Sequence, residues 1–272
     1  MTKRTGTGAT LGQALEIYEV DDLQEPYLLR YEEFTAGSWA DAHSHRLGHL
    51  NYTTHGTFSM DTRGHHLVSP PQYGIWIPPG VEHSCYVQHA VVYRSFYVQP
   101  ALCTVLPDEA CIVKIGPIVR SILADFAQRA VRLPRTPEDL RLAEVMVDQL
   151  RVGKVERSYL PVAESAALTA VLNQLHKDPG SRLSMAQWAH SVHMTERTLA
   201  RHCQRELGMS LGEWRQRLRY VCAVDALERG KTVQEIAFDL GFSTASAFIA
   251  MFQRETGMAP DQFRREFSVP AV

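Results

Sequence analysis

No run of apolar residues in this 272-residue chain approaches the roughly 18 that a membrane-spanning helix needs. The opening stretch MTKRTGTGATLG lacks the apolar centre of a signal peptide and reads as a flexible polar tail. Cysteine is sparse: Cys85, Cys103, Cys111, Cys203 and Cys222 are scattered, odd in number and never in a C-x-x-C pair. That excludes a disulfide framework and a cysteine zinc site, and makes a reduced cytoplasmic chain with no membrane partner the expectation. Charge of one sign is also lacking, with 28 basic and 30 acidic residues. A P-loop, a dinucleotide fingerprint and a nucleophile elbow are missing as well, and with them the enzyme classes that depend on those motifs.

What is present divides into two halves, as the length leads one to expect. Residues 14 to about 100 hold short aromatic and β-branched runs, YLLRYEEF (27–34), HLNYTTH (49–55), YGIWI (73–77) and VVYRSFYV (91–98). Turn material such as TAGS, SPPQ and IPPGVEH separates them, the pattern of a small β-barrel or sandwich. From about 115 the period becomes helical. The stretch TPEDLRLAEVMVDQLRVGKV opens with a Thr cap, a first-turn proline and two acids. Its Leu142, Val145, Met146, Gln149 and Leu150 form a stripe that either covers the β domain or pairs two copies of the chain.

The second half contains an internal repeat. SMAQWAHSVHMTERTLARHCQRELG (184–208) matches TVQEIAFDLGFSTASAFIAMFQRETG (232–257), each copy a capped helix, a tight turn and a second helix ending in Gly. Ala189 and Ala237 hold equivalent places, where a small side chain lets the paired helices cross closely; Gly241 makes the second turn where His193 stands in the first. Between the copies, SLGEWRQRLRYVCAVDALE forms a helix of roughly 28 Å, near the ~34 Å between successive major-groove faces of B-DNA. Arg197, Arg201, Arg205, Arg215, Arg217 and Arg219 cluster in one window, and clustered arginine favours nucleic acid. In the first recognition helix Leu199, Cys203 and Leu207 take the core. Thr195, Glu196, Arg197, Ala200, Arg201 and Gln204 are left for double-stranded DNA, with Arg197 and Arg201 the candidates for bidentate guanine contacts. In the second, Phe242, Phe248 and Phe252 take the core, leaving Ser243, Thr244, Ser246, Ile249, Ala250 and Gln253 outward. Hydroxyls there suit phosphates, and Ile249 and Ala250 suit thymine methyls, so the first motif is expected to dominate specificity.

Residues 165–267 resemble the DNA-binding domain of the AraC/XylS family of transcription regulators, above all in EIAFDLGFSTASAFIAMFQRETGMAPDQFRREF. Many members carry arginine where this chain has Ala250. The resemblance implies a sequence-specific transcription regulator, with a double helix-turn-helix unit attached to a sensing and dimerising domain, and RNA polymerase as a partner if it activates. A repair methyltransferase with the same DNA-binding unit would need a cysteine-rich metal site, which is missing.

The remaining signal is histidine. Gly37, His43, His45, His49 and Gly56 resemble the first motif of the cupin superfamily, with His49 where metal-binding cupins usually have Glu; Gly74, Pro78, Gly80 and His83 resemble the second. On a single strand, residues 43, 45, 47 and 49 would share one face. His43, His45, His49 and His83 could then hold a divalent transition metal such as Zn²⁺, Ni²⁺ or Fe²⁺, or line a metal-free pocket for a small effector with Trp76 and Tyr93. His55, His65, His66 and His89 lie near turns and read as surface residues. The expectation is a two-domain α+β chain. A cupin-like barrel occupies 13–100, a helical dimerisation or packing segment 101–157, and an all-α double helix-turn-helix 162–270. The alternative is a metal-dependent cupin dioxygenase or isomerase fused to a helical DNA-binding module, but such an enzyme would have no use for the last hundred residues.

Overall fold

The computed structural model describes residues 12–15, 24–62, 65–88, 90–156 and 158–267; nearly all of the expected N-terminal tail lies outside them. Among the described residues ten strands make two sheets. One holds β1 (Tyr27–Phe34), β3 (Gly48–His55), β6 (Tyr73–Ile77), β8 (Val91–Val98), β9 (Cys111–Lys114) and β10 (Val155–Glu156), in the order β1-β8-β3-β6-β9-β10. The other holds β2 (Ser38–His43), β4 (Phe58–Thr62), β5 (His65–Ser69) and β7 (His83–Val87), in the order β2-β7-β4-β5. Every pair is antiparallel. Along β2 and β7, buried and more exposed residues tend to alternate, so that sheet keeps one face towards solvent. Strand β6 is buried throughout: Ile75 and Ile77 face the other sheet, while Trp76 faces helices packed outside.

Those helices are α1 (Pro117–Gln128) and α2 (Pro137–Val152). Thr136 caps α2 by accepting from Asp139 N, and Arg129 at the end of α1 clamps the Asp139 carboxylate at 2.7 Å. The face of α2 against the sheet is Ala143, Met146, Val147 and Leu150; Val145 is left exposed. The stripe therefore covers the β domain, rotated by about one residue from the one the sequence indicated. Segment 101–157 is also not helical throughout. It contributes β9 and β10 to the larger sheet, because the β-branched run in CIVK pairs with β6.

The C-terminal region is α3 (Ala166–Lys177), α4 (Met185–Ser191), α5 (Glu196–His202), α6 (Leu211–Glu228), α7 (Val233–Asp239), α8 (Ala245–Thr256) and α9 (Pro260–Phe267). A π-turn over Cys203–Leu207 prolongs α5 to Gly208. Helices α4, α6 and α7 each start on a reciprocal capping box, Ser184–Gln187, Ser210–Glu213 and Thr232–Glu235, which satisfies amide donors the first turn would otherwise leave unpaired. Ala189 and Ala237 are buried where α4 and α7 meet their partner helices. His193 and Gly241 both adopt left-handed backbone, with φ of 55° and 72°, so one turn geometry is built twice, once with glycine and once without. Among the described residues no helix is long and apolar enough to cross a membrane.

Candidate functional site: a doubled helical reader and a histidine pocket

Two helix–turn–helix units, α4–α5 and α7–α8, are joined by α6. On α5 the side chains of Leu199, Cys203 and Leu207 enter the core, and Glu196, Arg197, Ala200, Arg201 and Gln204 are exposed, as the helical spacing requires. Thr195 is the N-cap, accepting from Thr198 N, and Thr244 plays the same part for α8 with Ala247 N. Ser243, Ser246 and Gln253 are exposed on the second unit. Ile249 is a correction: it is half-buried against the core, because its place on α8 turns it towards the apolar face.

The arginine cluster also resolves. Arg205 pairs with Glu206, Arg215 donates to the carbonyls of Ser181 and Leu183, Arg217 pairs with Glu156, and Arg219 donates to Pro179 and Ser181 carbonyls. The last three tie separate segments together, whereas Arg205 stays exposed and pairs within its own helix. Arg197 and Arg201 make no such contact among the described residues and stand one turn apart on the exposed face of α5. Their full donor set is therefore available to a base edge or a phosphate.

The second site lies between the two sheets. His43 ends β2, His45 sits in the connection, His49 begins β3 in the opposite sheet, and His83 begins β7. His43, His45 and His49 therefore do not share one strand face, as the spacing suggested, whereas His83 does arrive from a later strand. The chain crosses from sheet to sheet between His43 and His49, and the crossing brings the rings together. Ring centroids of His43 and His83 are 4.3 Å apart, His45 and His83 5.2 Å, and His45 and His49 4.5 Å. Nδ1 of His43, His45 and His83 lies 2.7–2.8 Å from the backbone carbonyls of Asp41, Leu47 and Val81. A carbonyl only accepts, so each Nδ1 carries a proton, and in the neutral ring Nε2 presents a lone pair. The ligand atoms of these three residues lie within 4.8 Å of one another. His49 stands just outside this set, with Nδ1 3.2 Å from His45 Nε2 and a buried, unpartnered Nε2; His83 Nε2 is likewise buried and unpartnered.

Burial, reinforced by the neighbouring imidazoles, holds His49 well below the usual histidine range. Burial also brings His83 down to about 4, so both are neutral at pH 7. The cavity they line is ≈ 40 Å³, where one water needs about 10–15 Å³, so it has room for an ion and a few ligand atoms. Tyr93 lines it and donates to Asn51 Oδ1. Trp76 does not: its Nε1 donates to Pro107 O at 2.8 Å and its ring lies against the outer helices. Hydrophobicity could not tell the two faces of β6 apart because both are buried. Arg30, Asn51 and Tyr97, which the sequence reading did not single out, complete the wall. Their one signal is a polar group inside otherwise apolar or aromatic strands. His66 is exposed and bonded to Asp61, whereas the side chains of His55, His65 and His89 lie outside the described residues.

The profile of an AraC-like ligand binding domain matches residues 26–178, and that of a helix-turn-helix domain matches residues 188–266. The chain belongs to the AraC family of transcriptional regulators. It is 33% identical over 221 residues to the HTH-type transcriptional regulator NimR of Escherichia coli (strain K12), covering 81% of each chain. It is 28% identical to the HTH-type transcriptional activator RhaR of Yersinia pestis bv. Antiqua (strain Angola) over 54% of this chain and 52% of that one. Among solved structures it is similar to ToxT from Vibrio cholerae, with a TM-score of 0.39 and 9% identity over 90% of this chain and all of that one.

In this AraC-family regulator the two regions meet along α6. Tyr220 Oη donates to Pro71 O at 3.1 Å, Gln72 Nε2 donates to Thr256 O at 2.8 Å, and Gly56 N donates to the Glu228 carboxylate. Rings run from sheet to reader: Tyr73 on β6 packs on Tyr159 (4.8 Å), Tyr159 on Tyr220 (6.1 Å) and Tyr220 on Phe252 of α8 (5.6 Å). This joint leaves the outward residues of α5 exposed, so the docked β domain does not block the first reader.

Proposed function

We propose that the chain is a cytoplasmic regulator, not an enzyme, whose cupin-like β domain senses a divalent transition metal and adjusts how α5 and α8 engage promoter DNA. One observation carries the metal reading. Three imidazoles have Nδ1 fixed by backbone carbonyls, and one ring nitrogen from each lies within 4.8 Å of the other two. Orienting each ring through its second nitrogen is how proteins prepare histidine ligands. His43, His45 and His83 would hold the ion, with His49 the adjacent fourth candidate, and neutral imidazoles suit Zn²⁺, Ni²⁺ or Fe²⁺. A metal-free organic effector in the same pocket is the second reading. Regulation requires that the ligand bind two arrangements of the joint unequally. The hydrogen bonds from Tyr93 to Asn51 and from Asn51 to the Ile75 carbonyl run from the pocket into β6, whose Tyr73 starts the ring contacts to α8. Pairing of two copies through the outer sides of α1 and α2, where Ile118 and Val145 are exposed, belongs to the same reading, as does contact with RNA polymerase if the outcome is activation.

The test is elemental analysis of untagged protein beside a His45→Ala/His83→Ala double variant. About one equivalent of a transition metal, absent from the variant, is expected. Metal-free wild-type protein that stays metal-free after incubation with Zn²⁺ and Ni²⁺ defeats the metal reading and leaves the organic effector.

A further inference from the structure

One loop of the helical region belongs to neither helix–turn–helix unit. Residues 178–183, DPGSRL, lead from α3 into α4 and so into the first unit, yet they lie against the turn of the second. Gly180 and Gly241 meet main chain to main chain: a Cβ on Gly180 would run into Asp239 O, and one on Gly241 into Gly180 O. Glycine at both places is what allows that approach. The same loop is clasped by α6. Arg219 donates from Nε to Pro179 O at 3.0 Å and from Nη2 to Ser181 O at 3.3 Å. Its guanidinium also lies 5.3 Å from the centre of the Phe242 ring, which packs on Phe248 of α8 at 5.6 Å. Arg215, one turn earlier, adds bonds to Leu183 O at 3.3 Å and to Ser181 O. Charge-assisted bonds from a rigid planar fork hold the loop more firmly than neutral ones would.

The consequence is geometric. Helix α6, of 18 residues, sets the distance between the two units along its own axis at about 27 Å. A second attachment away from that axis removes the freedom of one unit to pivot about it, and a close-packed contact passes displacement on instead of absorbing it. One base pair inserted between two groove segments of B-DNA moves the second by roughly 3.4 Å and turns it by about 35°.

We infer that the 178–183 loop, clasped by Arg219 and seated on the second turn, locks the two recognition helices at one spacing. The reader then accepts one separation of its two DNA segments and rejects the neighbouring ones. Arg219 acts through the loop and is a positioning residue. This rests on α5 and α8 both engaging DNA.

The experiment uses full-length protein and the promoter fragment located by footprinting, beside fragments with one base pair inserted or removed midway between the two protected segments. Wild-type affinity is expected to fall about tenfold or more with either change, as when a groove contact is lost. In Arg219→Gln the same changes should cost about threefold or less, because the second unit can follow its groove. Arg219→Lys, which keeps the charge and a donor, should fall between the two. Gly180→Ala forces the loop off the second turn without touching Arg219; it should relax the preference likewise, and serves where the glutamine variant does not fold. All proteins are compared well below their melting temperatures. A mere loss of stability weakens binding to every fragment alike and leaves the ratio between spacings unmoved. A folded Arg219→Gln or Gly180→Ala protein with the wild-type spacing penalty, or a wild type indifferent to spacing, overturns the lock and leaves the two readers standing. A footprint with a single protected segment overturns both.

Discussion

Arg201 is the sharpest point at which to test the reader. It lies on the exposed face of α5, one turn after Arg197, and makes no contact with another side chain among the described residues. Truncation should therefore leave the fold untouched, within about 0.5 kcal/mol by urea unfolding, as at most surface sites. If the guanidinium makes a bidentate contact to guanine, Arg201→Ala should weaken specific binding by ~1–3 kcal/mol, a factor of roughly 5 to 150. Arg215→Ala is the contrasting variant. Its guanidinium satisfies the Ser181 and Leu183 carbonyls, so its loss should destabilise the helical region by about 1–3 kcal/mol without changing which bases are preferred. The assay is fluorescence anisotropy on a promoter fragment found by footprinting, on single-base variants of it and on scrambled DNA, all at one salt concentration. A base reader loses affinity for the specific site and relaxes its preference at one position. An Arg201→Ala protein that keeps full affinity, or weakens equally on every sequence, refutes the assignment; the latter result would make Arg201 a phosphate contact.

Gly241→Ala should be among the most damaging single changes, by about 3 kcal/mol or more, because φ is +72° and the new Cβ would lie 2.0 Å from Gly180 O. His193→Gly relieves the same left-handed strain in the first unit and should raise stability by about 1 kcal/mol; an unchanged melting temperature would mean the histidine is held there without strain. His83 carries a pH dependence. Its folded value of about 4 lies below the usual 6.5, so its contribution is complete above pH 6.5 and falls by about 3 kcal/mol as pH drops towards 4. In chelator-treated protein the slope of stability against pH should flatten in His83→Leu. Glu228, whose carboxyl is pushed up, pulls the opposite way in both proteins, so parallel slopes for wild type and variant would contradict the assignment. Tyr220→Phe deletes the hydroxyl that reaches Pro71 and should weaken the joint by about 1 kcal/mol, read as faster proteolysis between the regions with unchanged DNA affinity of the isolated state that α5 presents. Finally, sedimentation at micromolar concentration should give a dimer that Val145→Glu dissociates; a monomeric wild type removes α1 and α2 as a pairing surface.

Much of the reader was legible in the sequence because its signals are local. Helical period, caps and the two turns each depend on a few neighbouring residues. Leu199, Cys203, Phe248 and Phe252 are buried where the 3.6-residue spacing puts them. The internal repeat makes the same local pattern twice, and its match to a known family extends it to function. The β domain was legible in outline: β1, β6 and β8 have the bounds their alternation and flanking turns suggest, and β3 differs by one residue.

Other features required the folded chain. Which arginines face DNA is not encoded by their clustering, since Arg215, Arg217 and Arg219 find partners 32 to 61 residues away and only the fold brings those partners near. Trp76 and Ile75 are equally apolar, and only the packing of sheet against sheet on one side and helices on the other separates them. The four histidines were visible as a set, but their convergence comes from a crossing between sheets and not from one strand. Arg30 and Tyr97 join them through pairings across β1, β8 and β3. The sequence by itself determined the family, the doubled reader and the presence of a histidine-rich site, because these rest on short-range spacing. The tertiary structure alone decided which charged groups are free and which polar groups share a cavity, because long-range pairing and burial select the partners of each side chain.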